Sequence, residues 1–312
     1  MIYKLHDWID VRYLDEDFLS QNPRAIDFLI SNPSYIDFEG LSMNPNAIKV
    51  LEENLDKIDY TTLSMNENPE IFKRFVMPNL DKCSWHYLSG NKAAASILKA
   101  NKNKLDWYKL SGNSSDEALE LLMNNQDKID WYKLSKNTND KAIKIFEENR
   151  DKIEDSYLSM NSNDKAIELL EANPDYIDWG FLSSNPNDNA LELLMKSPNM
   201  INWKKLSKNP NDKAIELLEA NPDKIYLYHL IENTNPKVID ILYKNKDLLY
   251  RDDVSWSILS ANPIIFKLDY EEIKKRFKPL AEEIIKEVMH PKRVCKYLEM
   301  YNYDYLTELF DD

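Results

Sequence analysis

The residue types that most often do chemistry are sparse in this chain and poorly placed for it. Its four histidines, His6, His86, His229 and His290, are scattered, and do not gather with Cys83 or Cys295 into a set of three or four metal ligands. A zinc site needs such a set in one place, so no metal-binding residue is expected. Cys83 occupies a position filled by Ile elsewhere and reads as a buried apolar residue rather than a nucleophile; Cys295, on an apolar helical face, reads the same way. Glu168 and Glu171 recur as Glu216 and Glu219, which marks a solvated face, whereas acid–base catalysis needs two carboxylates in unlike surroundings. Only four glycines are present, Gly40, Gly90, Gly112 and Gly180, too few and too dispersed for a phosphate-cradling loop. No catalytic residue and no cofactor is expected, and the chain does not read as an enzyme.

One pattern does carry a signal. Pairs of residues between a recurrent aromatic and a recurrent Leu read His86-Tyr87, Tyr108-Lys109, Tyr132-Lys133, Ser156-Tyr157, Gly180-Phe181, Lys204-Lys205 and Tyr228-His229. Packing does not fix these positions, and Tyr with long cationic stems suits partner surfaces. His86, Tyr87, Tyr108, Lys109, Tyr132, Lys133, Tyr157, Phe181, Lys204, Lys205, Tyr228 and His229 are therefore the candidate partner-binding residues. The competing reading is that they only cover the neighbouring helix.

The elements that position this stripe come from an internal repeat. Leu-Ser pairs at 19, 41, 63, 88, 110, 134, 158, 182, 206 and 259, with Leu230-Ile231 in the remaining place, recur every 22–29 residues. Three residues after each Leu stands Asn: Asn22, Asn44, Asn66, Asn91, Asn113, Asn137, Asn161, Asn185, Asn209, Asn233 and Asn262. Trp107, Trp131, Trp179 and Trp203 share one slot with Trp85 and Trp256, three before the Leu, and are read as core. A Trp-x-x-Leu spacing puts both side chains on one helical face, and the preceding Asp (Asp37, Asp59, Asp106, Asp130, Asp178) suits an N-cap. Five before the Leu comes an apolar residue, Ile153 and Val254 among them. The other half of each unit, as in Ala166-Ile167-Glu168-Leu169-Leu170, reads as an amphipathic helix. Asn44-Pro45 in short units, and Asn187-Asp188 or Asn211-Asp212 in longer ones, start that helix. Asn173 and Asn221 are expected to end it in the left-handed conformation that Gly more often takes.

One such unit cannot bury its own apolar face, and stacking supplies what is missing. The expected fold is all-α: an α-solenoid of about ten two-helix repeats of 22–24 residues, with residues 1–21 as N-terminal cap, 22–261 as tandem repeats and 262–312 as C-terminal helical cap. A leucine-rich repeat fits the period, but its L-x-L strand has the wrong parity for Trp-x-x-Leu. The implied object is an open rod spanning about 80–100 Å at the usual interhelical spacing.

Units of the form Asn-Pro-Asn-Asp-Lys-Ala-Ile-Glu-Leu-Leu-Glu-Ala-Asn-Pro-Asp-Lys-Ile-Asp-Trp-x-x-Leu-Ser resemble the repeats of a protein family abundant in giant viruses of the mimivirus type. The closing His290-Pro291-Lys292-Arg293-Val294-Cys295 resembles that family's last segment. The likeness covers residues about 10–305 and is most specific over 134–230. Units at 66–90 and 233–261 depart by insertion, and Asp155 replaces the aromatic in another. The resemblance implies a viral origin, with placement in host-cell cytoplasm or virion, more than it implies an activity.

The net charge is −14, which opposes the phosphate-neutralising contribution that dominates nucleic-acid and anionic-membrane binding. No apolar run reaches membrane-span length, and the polar start does not read as a secretory segment. The expected role is a non-enzymatic scaffold that binds a protein partner or assembles into a viral or infected-cell complex. The alternative is a reader of single-stranded nucleic acid, stacking bases on Tyr108, Tyr132 and Tyr228 beside Lys109, Lys133 and Lys205.

Overall fold

Short helices begin where a carboxylate meets the free N–H groups of a first turn. Asp37, Asp59, Asp106, Asp130 and Asp178 each accept from the backbone N–H three residues on, at 2.7–3.0 Å. The results are helices such as Phe38–Met43, Trp107–Ser111, Trp131–Ser135 and Trp179–Ser183. Longer helices, Asp140–Glu148, Asp164–Ala172, Asp188–Met195 and Asp212–Ala220, are N-capped by Asn139, Asn163, Asn187 and Asn211. They bury one face, as with Ala214, Ile215 and Leu218, each 0% exposed. The computed structural model describes residues 2–149, 152, 155–250 and 256–300. Ile153, Val254 and the side chain of Asp155 lie outside this description. Within it the fold is all-α and repetitive, apart from strands Tyr3–Leu5 and Phe266–Leu268, which pair.

Two local expectations need correction. Asn173 and Asn221, with φ of −137° and −133°, are not left-handed. Each side-chain amide instead donates to the carbonyl four residues back, Leu169 O at 2.9 Å and Leu217 O at 2.8 Å, so the last turn is satisfied by a side chain. In the short unit at Asn44-Pro45 the helix starts only at Ile48, without a side-chain cap. There Asn44 Oδ1 accepts from Asn46 N–H, and Pro45 lies in that turn.

The asparagine after each short helix explains why the copies stack. Asn209 Nδ2 donates to Ser183 O at 3.0 Å and Asn185 O at 2.8 Å, while its Oδ1 accepts from Asn211 N–H at 3.0 Å. One buried amide thus saturates three backbone groups in two copies, which backbone this close would otherwise leave unpaired. The Ser beside it is the second joint. Ser89 Oγ donates to Trp85 O at 2.6 Å and accepts Asp106 N–H of the next copy at 2.9 Å.

The file of copies has no open ends. Asn22 Nδ2 donates to Ser260 O at 2.8 Å and to Asn262 O at 3.0 Å, and Asp15 N–H donates to Ser260 Oγ at 2.9 Å. Asn262 in turn donates to Ile231 O and Asn233 O, both at 2.8 Å. The ladder is therefore a closed circuit, and the expected open rod is replaced by a cycle of short helices that begins with Glu16–Gln21 and returns to it after Trp256–Ala261. Any curvature per copy adds along the file, and here it brings the last apolar face onto the first.

The chain divides into two compact units, Leu5–Phe266 and the termini Met1–Lys4 with Lys267–Asp312. The closed circuit is wholly inside the first. In the second, Asp269 N–H donates to Ile2 O at 3.1 Å, Lys4 Nζ lies 3.3 Å from Asp269 Oδ1, and Asp269 caps the helix Tyr270–Val288, which precedes the helix Pro291–Met300.

Candidate partner-binding surface

The pairs singled out by sequence fall into two rows on the short helices. In five of the seven pairs the first residue is outward: Tyr108 is 46% exposed, Tyr132 38% and Tyr228 49%, and His86 and Lys204 are likewise exposed, whereas Ser156 and Gly180 are half-buried. The second, Tyr87, Lys109, Lys133, Tyr157, Phe181, Lys205 and His229, is half-buried. Lys109 Nζ stands 5.6 Å from the Tyr87 ring centre, Lys133 Nζ 4.8 Å from Tyr108 and Lys205 Nζ 5.2 Å from Phe181. Tyr132 meets Tyr157 edge to face at 4.8 Å, and Tyr157 lies 6.4 Å from Phe181. The second row covers its neighbours, and in doing so builds a ribbon of aromatic rings and ammonium groups from Tyr87 to Lys205.

Electrostatics sharpen this ribbon. Long helices carry the acids, and their lysines are paired: Lys141 with Asp116 at 2.8 Å, Lys165 with Asp140 at 2.5 Å, Lys237 with Asp212 at 3.0 Å. Asp116 and Asp140 are held below the usual carboxylate range chiefly by hydrogen bonds from Lys141 and Lys165, and Asp212 by those from Asn235 and Lys237. Among the described residues no carboxylate lies within ion-pair distance of Lys109 or Lys133. Both are half-buried cations whose ammonium groups lie against aromatic faces. His86 differs: its Nδ1 lies 2.6 Å from Asp106 Oδ2. At the other end His229 Nδ1 is buried 3.8 Å from Glu232 Oε1, too far for a hydrogen bond, and burial followed by Lys208 and Lys204 pulls its pKa below the ordinary value.

Sequence reasoning missed the opening beside Lys109 and Lys133. A cavity of about 250 Å³ is lined by Met65, Glu67, Tyr87, Gly90, Asn91, Lys109, Gly112 and Lys133. Gly90 and Gly112 stand two residues after their Leu, where Met43, Met65 and Met160 stand in other copies. A Cβ on Gly90 would meet Lys109 at 3.6 Å, ordinary contact, so neither close approach nor backbone conformation requires Gly there. Two side chains are simply left out of adjacent copies, and the signal lay in that register.

The structural residues sit where their roles require. Asn137, Asn161, Asn185 and Asn209 are at most 2% exposed in the ladder. Trp107, Trp131, Trp179 and Trp203 are half-buried rather than core, and the next copy's Lys128 and Lys152 lie over Trp107 and Trp131 at 4.5 and 5.2 Å. Their rings border solvent because each covers a joint between copies. Cys83 is buried, and burial raises its pKa, which suits an inert thiol; Cys295 is exposed, contrary to expectation, because the helix Pro291–Met300 leaves that position uncovered. Among the described residues no three His, Cys, Asp or Glu side chains gather as metal ligands, and no helix is long and apolar enough to cross a membrane. No family model, curated protein or solved structure matches the chain.

Proposed function

We propose that this chain is a non-enzymatic helical-repeat scaffold that grips an acidic segment of a protein partner along the Tyr87–Lys205 ribbon. The observation that carries the reading is the pair Lys109 and Lys133, half-buried cations with no carboxylate at ion-pair distance among the described residues, beside a 250 Å³ cavity whose lining carboxylate, Glu67, is already paired with Lys92 at 2.8 Å, in a chain of net charge −14. A partner's carboxylate there would gain charge-assisted hydrogen bonds, and its apolar or aromatic neighbours would lie on Tyr87 and Tyr157. The non-enzymatic reading is supported by serines such as Ser89, Ser111 and Ser183, whose hydroxyls are committed to backbone on both sides. On the resemblance to giant-virus repeats, the setting is a viral or infected-cell assembly.

Fluorescence polarisation with labelled peptides rich in Glu, Asp and Tyr tests it. Binding by the unmodified chain should fall at least about tenfold in Lys109→Ala/Lys133→Ala, the scale of one lost charge-assisted bond. Gly90→Met, which copies Met65 into the cavity, should also lower affinity while melting stays unchanged. Equal affinity in all three proteins removes the reading. Binding of a single-stranded oligonucleotide with affinity falling steeply in salt would replace it with the nucleic-acid alternative, which the occupied ring faces of Tyr108 and Tyr132 disfavour.

A further inference from the structure

The helix Tyr270–Val288 is the longest in the molecule among the described residues and buries none of its side chains. Its apolar residues nevertheless recur at spacings of three and four: Tyr270, Ile273, Phe277, Leu280 and Ile284. At 100° per residue these fall on one narrow stripe, while Pro279 lies on the opposite face, where its missing N–H disturbs nothing the stripe uses. Phe277 is 58% exposed, Leu280 48% and Ile284 53%. A surface helix of a folded protein does not carry such a seam without a use for it.

The charges identify what covers it. Lys274, Lys275, Arg276 and Lys278 outweigh Glu271 and Glu272 and make the first half of the seam's surroundings net basic, while Glu282, Glu283 and Glu287 outweigh Lys286 and make the second half net acidic. Such a helix complements itself when reversed. In antiparallel register Phe277 of one copy packs on Leu280 of the other and Ile273 on Ile284. The flanking Arg276 then faces Glu283 of the second copy, twice per pair; in a parallel arrangement the same positions face Ala281 and Val288. Within its own chain Arg276 bonds Glu272 at 2.9 Å, and Glu283 has no ion-pair partner among the described residues.

We infer that two copies of this chain associate through antiparallel pairing of Tyr270–Val288. Sedimentation equilibrium of the full chain should show a monomer–dimer equilibrium, and Leu280→Asp should abolish the dimer with helicity retained. Arg276→Glu and Glu283→Arg should each weaken dimerisation by about tenfold, since each sets two like-charged pairs in place of two attractive ones. The double variant Arg276→Glu/Glu283→Arg should recover most of the loss, which a merely destabilised helix would not do. A chain that stays monomeric at several hundred micromolar overturns the inference, as does a dimer unaffected by Leu280→Asp or a double variant no better than either single one.

Discussion

The joint between the copies at Asn185 and Asn209 and the joint between Asn262 and Asn22 use the same bonds at nearly the same lengths, yet their partners are 24 and 240 residues apart in the chain. For a flexible chain that tenfold difference costs about 2 kcal/mol more closure entropy. The seam also has contacts the interior lacks. Tyr250 Oη donates to Trp8 O at 2.6 Å, and Tyr13, Tyr250 and Trp256 rings cluster at 5.1–5.4 Å, whereas the Arg24 bond to Pro263 O at 3.1 Å repeats what Asn211 does with Pro186 O inside the array. The difference teaches how a repeat array without terminal copies is made. Ten local joints deliver the ends side by side, and a reinforced eleventh replaces the caps an open array would need.

The largest effect distinguishing a closed from an open array is at the ladder itself. Asn209→Ala leaves two buried carbonyls and one N–H without a partner, at about 1–3 kcal/mol each before relaxation, so a loss of about 3–5 kcal/mol is expected in urea denaturation. Closure predicts that Asn22→Ala costs the same within about 1 kcal/mol, because Asn22 is 0% exposed and makes the same three bonds. At the free end of an open file Asn22 would face solvent and its replacement would register below about 0.5 kcal/mol.

A smaller change addresses the reinforcement. Tyr250→Phe removes the bond to Trp8 O and the acceptor for Asp10 N–H, with an expected cost of about 1–2 kcal/mol. Amide hydrogen exchange locates it: protection at Leu19 and Asn22 should fall more than at Leu206 and Asn209. A uniform fall would mean the seam does not open ahead of the remaining joints.

Smaller again is a pH effect near the seam. Folding lowers the pKa of His229, so the folded state favours neutral imidazole; the stability this provides is full above the ordinary value of about 6.5 and is lost as pH falls through and below it. The groups facing the ring are Lys204, Lys208 and Glu232. His229→Phe, which copies Phe181 into this register, should lose less stability than the parent between pH 7 and 5.5. Parallel pH profiles for the two proteins would show that His229 stays solvated.

Much of this was legible because each repeated residue has a repeated job. Leu110, Leu134 and Leu206 had to be core, Asp106 and Asp130 had to be caps, and the stripe residues from Tyr87 to Lys205 do come together. The role of the ladder amide was not readable, since the carbonyls that need it belong to another copy. Nor was closure: each copy turns the file by about one-eleventh of a circle, a sum no single residue encodes. The cavity escaped notice because Gly90 and Gly112 act by what they lack.

The smallest expected effect compares how the aromatic slot is covered. At five joints inside the array the cover is a lysine six residues before the next copy's Leu, as with Lys57 over Phe38 at 4.8 Å, Lys104 over Trp85 at 5.1 Å and Lys128 over Trp107 at 4.5 Å. In that register at the seam stands Tyr13, its ring 5.4 Å from Trp256. A double-mutant cycle isolates each pair from the general effect of removing a lysine from an acidic chain. Coupling of Lys128 with Trp107, read from Lys128→Gln and Trp107→Leu, should be about 0.5–1 kcal/mol, and that of Lys57 with Phe38 smaller because a phenyl ring attracts cations less than indole does. Coupling of Tyr13 with Trp256 should equal or exceed the first, at about 0.5–1.5 kcal/mol. A value near zero for Lys128 and Trp107 would mean that the lysine covers the ring with its methylene stem while its ammonium group answers to water. The seam's aromatic cover would then be a replacement for lost packing rather than for a lost cation.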